Sequence, residues 1–316
     1  MSPSEEVHII VGAGTTGSAT ALLLVETGHR VKMISRSGTG PSHPDIELVT
    51  GDASDADTLR RLTTDADVLY NCANPPYHRW TTDWPPLAAS LLNAATSAEA
   101  VLVTLGNLYV YAAPSAPMRE TDPLQPSSVK GRVRATMWAD ALAAHEAGRV
   151  RVTEARASDF IGPGVGTNGH MGDRVVPKLL AGKSVSLLGN VEVDHSWTAI
   201  SDVARTLVTI GREEQAWGRP WHVPTVAPMT QHQMVDRLCE LADVAPVNVK
   251  AVPSIALHMA GIFSAPTREL KEMMYQFEQS FVIDSSAATE ALGLEATPLD
   301  ETLRATIDSY RVGVSV

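Results

Sequence analysis

The sequence predicts an α/β fold, a parallel β-sheet doubly wound by helices, with a smaller carboxy-terminal lobe. Three observations carry this. Short runs rich in β-branched and apolar residues alternate with helix-period stretches through the first half of the chain. A glycine-rich turn, Gly12-Ala13-Gly14-Thr15-Thr16-Gly17, joins the first such run to the first helical stretch, and the alternation loosens after Pro163. Parallel neighbours need crossover connections, and helices supply them.

Residues 7–11 read as a short buried strand and 18–25, rich in Ala and Leu, as a helix closed by Gly28 near its C-cap. Strands follow at 31–34 and 46–49, then a helix at 55–62 with Leu59 and Leu62 on one face, and strands at 68–72 and 101–105. Between those last two, Leu87, Leu91, Leu92 and Ala95 recur at helical spacing. A long helix at 129–147 and a sixth strand at 150–155 continue the pattern. Beyond Pro163, helical stretches at 202–210, 231–242 and 268–277 mix with short strands such as 185–188.

A chain of 316 residues, 44% hydrophobic and 19% charged, buries a substantial core and shows no repeat or low-complexity segment. Its net charge of -11 repels phosphate backbones and anionic membranes, so neither nucleic acid nor a membrane is an expected partner. The first residues, Met1 to Glu6, are acidic where a secretory signal needs basic ones. No apolar run reaches the ~20 residues of a membrane span. The expected location is cytoplasmic. Cys72 and Cys239, the only cysteines, are too few for a disulfide framework and read as small apolar residues.

The glycines at 12, 14 and 17 stand directly after a predicted strand and at the mouth of a predicted helix, the context that gives the pattern its meaning. The first permits a tight turn, the second lets backbone approach a pyrophosphate, and the third lets helix pack close to strand. Free N–H groups at the helix end attract the phosphates. The fold is therefore read as a Rossmann nucleotide-binding domain over residues 1–163. Residues 164–316 form the substrate lobe, with some chain returning to the sheet.

Ribose specificity is set at the end of the second strand, where a carboxylate binds a 2′-hydroxyl and an arginine accepts a 2′-phosphate. Here Ile34-Ser35-Arg36-Ser37 offers Arg36 and hydroxyls and no carboxylate, which points to NADP(H) ahead of NAD(H). A solvated surface arginine is the plainer reading of Arg36. Asp52, beside Ala53, is placed near the adenine amino group and also suits a turn or N-cap. Thr15, Thr16 and Ala73 complete the expected cofactor contacts.

With the glycine loop, Gly51-Asp52 and the run Arg156-Ala157-Ser158-Asp159-Phe160-Ile161-Gly162-Pro163, the chain resembles the extended short-chain dehydrogenase/reductase superfamily, NAD-dependent epimerase/dehydratase type, nearly end to end. Gly182-Lys183-Ser184-Val185, Ser201-Asp202-Val203-Ala204 and Trp221-His222-Val223-Pro224 are similar to its carboxy-terminal landmarks. The catalytic positions depart from the family pattern. Asn107 stands where the family has Ser or Thr, Lys130 where it has the Tyr of YxxxK, and Arg134 where it has the Lys. The chain is thus identified as an atypical extended member.

In ordinary members the phenol protonates the substrate oxygen and the Lys lowers the phenol's pKa. The resemblance implies that Lys130 donates the proton instead, with Arg134 depressing its pKa, and that the Asn107 amide donates to an oxyanion. Isoflavone-reductase-like proteins, of the same general fold, use a lysine comparably. Lys130 also suits a purely anchoring role on the cofactor ribose. Tyr109 and Tyr111 are further candidate acids, and strand alternation gives them one facing. For Arg134 an ion pair with a distant carboxylate is the favoured reading.

Asn74-Pro75-Pro76-Tyr77-His78-Arg79-Trp80 follows the fourth strand on the ligand-binding edge, and Tyr77 and Trp80 are expected on the pocket wall. His195, in Asp194-His195-Ser196-Trp197, occupies the region where sugar-nucleotide relatives place an Arg for a diphosphate, which favours a smaller or more apolar substrate. Trp197 and Asp159, the latter replacing the family's usual Asn, complete the expected substrate contacts. His170 and His222 show no metal-ligand spacing, and no metal is expected.

The leading expectation is an NADPH-dependent reductase of a small carbonyl, enone or imine compound. A non-catalytic NADP-binding redox sensor of NmrA-like kind, with a collapsed nicotinamide pocket, is the first alternative. A redox-neutral isomerase, dehydratase or cyclase is the second. Helix faces near Leu91 and Leu142 suit either core or a homodimer interface.

Overall fold

A computed structural model describes residues 6–112, 117–252 and 272–313. Strands are β1 (His8–Val11), β2 (Val31–Ser35), β3 (Ile46–Thr50), β4 (Val68–Asn71), β5 (Val101–Asn107), β6 (Arg151–Ala157), β7 (Asp159–Ile161), β8 (Val185–Leu188), β9 (Asp194–His195), β10 (Trp197–Ala199), β11 (Pro220–His222), β12 (Met229–Thr230) and β13 (Val249–Val252). Helices are α1 (Thr15–Glu26), α2 (Ala56–Leu62), α3 (Trp80–Ala98), α4 (Val129–Glu146), α5 (Val176–Leu180), α6 (Ile200–Arg212), α7 (Gln231–Ala242), α8 (Tyr275–Glu278), α9 (Ser286–Leu292) and α10 (Leu299–Gly313).

Seven strands form one parallel sheet in the order β11-β6-β5-β4-β1-β2-β3. Every residue of β1 and β4 is buried, as strands covered by helices on both faces require. Successive side chains of β1 enter different cores: Ile10 joins Leu24, Tyr70, Val103 and Leu207 on one face, while Ile9 and Val11 join Trp84, Leu91 and Leu102 on the other. Leu91 is thus covered by its own chain. A third core, with Val175, Leu187, Trp197, Leu238 and Ile307, belongs to the carboxy-terminal lobe.

That lobe carries three two-stranded pairs, β7 with β10, β8 with β13 and β9 with β12. From the same part of the chain, β11 lies in the main sheet, parallel to β6 with Trp221 opposite Ala155, and α6 packs against α1 and the sheet. Pro220 is tolerated because β11 is an edge strand that begins with it. Helix ends follow their caps. The Asp55 side chain accepts from the N–H groups of Asp57 and Thr58 ahead of α2, and Thr230 with Gln233 forms a capping box ahead of α7. Gly28, at φ +89°, turns the chain just after α1.

Two expectations change. The helix read from Leu87 onward begins at Trp80, because the Tyr77–Arg79 stretch is itself a 3₁₀ turn that runs into it. Of the helix expected over 268–277, residues 268–271 lie outside the described residues, and the rest holds only the single turn α8.

Candidate functional site

The strand order reverses between β1 and β4, and the crevice beyond their carboxyl ends is where a doubly wound sheet receives ligands. A cavity of about 1120 Å³ opens there, running from the glycine loop past Arg36 and Asp52 at one end to Tyr77, Asp159 and Phe277 at the other.

The three loop glycines do different work. Gly12 has φ +107°, and a Cβ on it would come within 2.7 Å of the Ala73 nitrogen. A Cβ on Gly17 would overlap the Gly12 carbonyl oxygen. These two are needed for the turn and for helix-on-strand packing. A Cβ on Gly14 would meet nothing within 4 Å, since that position faces the cavity. Gly14 is also the N-cap of α1, no side chain caps it, and the first turn holds no carboxylate. Donors of the helix end therefore face an open space fit for a pyrophosphate. Thr15 and Thr16 line it, and Thr15 Oγ1 donates to the Gly164 carbonyl at 2.7 Å, tying the loop to the lobe. Gly17 lies beneath the wall.

Arg36, Ser37, Asp52, Ala53 and Ala73 all line the cavity. Arg36 is exposed one residue past β2, and among the carboxylates of this wall Asp52 is turned away into its own loop. Its Oδ1 accepts from Ser54 N at 2.9 Å and Ser54 Oγ at 2.7 Å, and those bonds, ahead of the more distant charge of Arg36, hold the carboxyl below its ordinary range. Asp52 therefore shapes a turn and stands on the cavity wall.

At the far end, Asn107 closes β5 and caps a 3₁₀ turn, Leu108–Val110, its Oδ1 accepting from Tyr109 N at 3.1 Å. The remaining amide donors belong to a group on the cavity wall. Because a 3₁₀ turn advances one-third of a revolution per residue, Tyr109 and Tyr111 do not share a facing, contrary to the strand-based expectation. Tyr109 joins the cavity, whereas the Tyr111 hydroxyl is buried against Arg156 Nη1 at 2.7 Å and His222 Nε2 at 2.8 Å.

The Tyr109 hydroxyl shares a 2.7 Å hydrogen bond with that of Tyr77. Burial raises both phenols, Tyr109 well above its ordinary value. Gly131, near the start of α4, permits this packing, since a Cβ there would overlap the Tyr109 carbonyl.

Lys130 is 2% exposed and does not line the cavity; its Nζ bonds Glu272 Oε2 at 2.7 Å and lies 5.6 Å from the Tyr77 ring centroid. Glu272 also accepts from Val129 N, so one carboxylate holds both the first turn of α4 and its lysine. Arg134 does line the cavity. Its guanidinium stacks 4.9 Å from the Trp80 ring and 4.2 Å from that of Trp84, Nη1 donates to the Leu105 carbonyl at 3.2 Å, and Nε has no partner. Burial pushes it down to about 10. The carboxylate ion pair expected for Arg134 is replaced by two indole faces.

Trp80 is only 2% exposed and anchored by Nε1 to the Pro75 carbonyl at 2.8 Å, so it forms the floor under Tyr77 rather than a free lid. Asp159 lines the cavity and pairs with His195 Nε2 at 2.7 Å. The orienting carboxylate of His195 is thus remote in sequence. Burial alone would raise Asp159, but its bond to His195, then the charges of His195 and His170, hold it low. Trp197 stands behind His195, ring centroids 4.7 Å apart, with Nε1 donating to the Met229 carbonyl. Neither Trp197 nor His195 reaches the wall directly.

Phe277 was not anticipated, and neither was His170. The Phe277 ring stacks on His170 at 4.5 Å and His195 at 5.3 Å, and His170 bonds Gln231 at 2.7 Å. Met273, Gln276, Phe277 and Phe281 bring this wall in from far along the chain, and no local pattern marks them.

A family model described as NAD dependent epimerase/dehydratase family matches residues 8–223. No curated protein matches the chain. Among solved structures, MoeE5 in complex with UDP-glucose and NAD is similar at a TM-score of 0.80 and 21% identity, over 98% of this chain and 100% of that one. UDP-glucose 4-epimerase of Thermotoga maritima, with UDP-glucose, is similar at 0.80 and 18%, over 98% and 100%. dTDP-glucose 4,6-dehydratase of Bacillus anthracis, in complex with NAD, is similar at 0.78 and 15%, over 97% of both chains. At these identities the likeness shows the fold.

Proposed function

The chain belongs to the NAD-dependent epimerase/dehydratase family, and from that premise we propose that it is an NADPH-dependent reductase of a small carbonyl, enone or imine compound. The observation that carries this is a single open cavity joining the helix-end phosphate cradle to a hydrogen-bonded pair of phenols. An open cavity argues against a sensor with a collapsed pocket.

When bound, the cofactor supplies a hydride. The chain's part is to hold it by the amides around Gly14, to accept its 2′-phosphate at Arg36, and to deliver a proton. Tyr77 is that donor, relayed from Tyr109. A phenol raised by burial still gives its proton readily to an alkoxide, which is about as basic as hydroxide. Lys130 and Arg134 both bias Tyr77 toward the phenolate through their charge. The family's phenol and cation are thus supplied from other positions: the phenol comes from the loop after β4, and cations occupy both YxxxK sites. Lys130 serves as a positioning charge behind Tyr77, not as the donor.

The substrate end favours a compact molecule. Asp159 is an anion there, with His195 committed to it, a poor setting for a diphosphate. The test is purified protein with NADPH and a panel of aldehydes, ketones, enones and imines. Loss of the reduced-cofactor absorbance is expected for at least one member. Tight NADPH binding with no turnover across the panel would sink the reading.

A second reading has its own support. Asp159 on the same cavity, backed by His195, is a ready acid/base group, and a redox-neutral isomerase or dehydratase with tightly held cofactor fits the family equally. Chain purified with cofactor already bound, converting a candidate substrate with no net change in cofactor redox state, would select it.

A further inference from the structure

The amino-terminal edge of the main sheet, opposite the cavity, gathers three groups that the reaction does not use. Glu6 precedes β1, His8 opens it, and His29 lies in the turn between α1 and β2. One ligand atom from each lies within 4.8 Å of the others, the one such grouping among the described residues. His8 is fully buried, and its Nδ1 shares a 3.2 Å hydrogen bond with the Tyr70 hydroxyl. Its Nε2 has no hydrogen-bond partner, with Glu6 Oε2 3.5 Å away and the His29 ring meeting it edge-on at a centroid distance of 4.7 Å. A buried nitrogen left without a partner needs an explanation.

The geometry points to a binding site for a divalent transition cation of the zinc class, held by His8, His29 and Glu6. Two imidazoles and a carboxylate are a donor set that zinc accepts, with water completing four-coordination at the half-exposed side. Tyr70 supplies the outer-shell contact: when Nδ1–H donates to its oxygen, the lone pair of Nε2 faces the cation. One feature opposes binding. Arg212 Nε donates to Glu6 Oε2 at 2.9 Å, so the cation must share this carboxylate with a guanidinium. The site lies about 13 Å along β1 from Gly12, too far to touch a dinucleotide. Its role is to fasten β1 to the α1–β2 turn.

The test uses the untagged full chain stripped with chelator. Titration with Co²⁺ should give ligand-field bands of one equivalent, displaced by Zn²⁺, and Zn²⁺ should raise the melting temperature. His29→Ala and Glu6→Gln are each expected to weaken Zn²⁺ binding at least 10-fold, and Arg212→Gln to tighten it, with NADPH affinity unchanged in all three. The opposite signs of Glu6→Gln and Arg212→Gln, both changes at partly exposed side chains, separate ligation from misfolding. Absence of stoichiometric Co²⁺ binding, or binding indifferent to His29→Ala, overturns the proposal.

Discussion

Two side chains decide whether the chemistry proposed above takes place. Tyr77→Phe removes the hydroxyl that lines the cavity and bonds Tyr109, while leaving the ring over Trp80 and beside Lys130. If Tyr77 is the proton donor, kcat falls roughly 10²- to 10⁴-fold while the NADPH dissociation constant changes little. Steady-state kinetics beside a fluorescence titration of NADPH separates the two quantities, and an unchanged kcat would remove Tyr77 from the mechanism. Arg36→Ala should weaken NADPH roughly 10- to 100-fold and leave NADH alone, because a charge-assisted bond to the 2′-phosphate is lost. Equal weakening of both coenzymes would make Arg36 a general surface contact. Cavity-lining residues were legible in the sequence wherever position along a strand sets position in space. Gly12, Gly14, Arg36 and Asp52 follow from strand ends. The partner of His195 did not, because Asp159 meets it only through the packing of β7 beside β10.

At the scale of elements, periodicity found the strands and long helices because burial of one face imposes it. Helix α7 begins and ends where its pattern and capping box place it. Elements shorter than one period escaped. The 3₁₀ turn at Leu108–Val110 is three residues long, and it decides that Tyr109 faces the cavity while Tyr111 faces His222. Caps, by contrast, are local and carry measurable weight. Asp55 accepts two backbone N–H bonds and a 2.8 Å bond from the Thr58 hydroxyl ahead of the seven-residue α2. Asp55→Ala is expected to destabilise the fold, read as an earlier midpoint in urea with an unchanged m-value. Gly or Asn at the same position should recover most of the loss, since both suit an N-cap.

At the scale of the molecule, the alternation of strand and helix foretold a wound sheet, but not which segments return to it. β11 joins the sheet beside β6, and the 273–281 wall reaches the cavity from far along the chain; short apolar runs carry no such address. The same burial that closes the fold also sets its acid sensitivity. His170 and His222 lie in the interior, and burial, ahead of any partner, pushes both below the ordinary imidazole value of 6.5. Their folded-state affinity for protons is therefore lower than in the unfolded chain. Between the folded value and 6.5 the unfolded state binds more protons, so stability is full above pH 6.5 and is lost as pH falls through that window. The carboxylates held low, Asp159 and Asp284 among them, add a second loss only below their ordinary 3.8. Thermal melting of the chelator-treated protein should thus be level from pH 8 to about 6.5 in these terms and decline steadily toward pH 4. His170→Gln, which has no titrating imidazole, should soften that decline. A melting temperature that stays level down to pH 4.5 would mean that these imidazoles gain a compensating partner on protonation, Glu120 beside His222 being the nearest carboxylate to supply one.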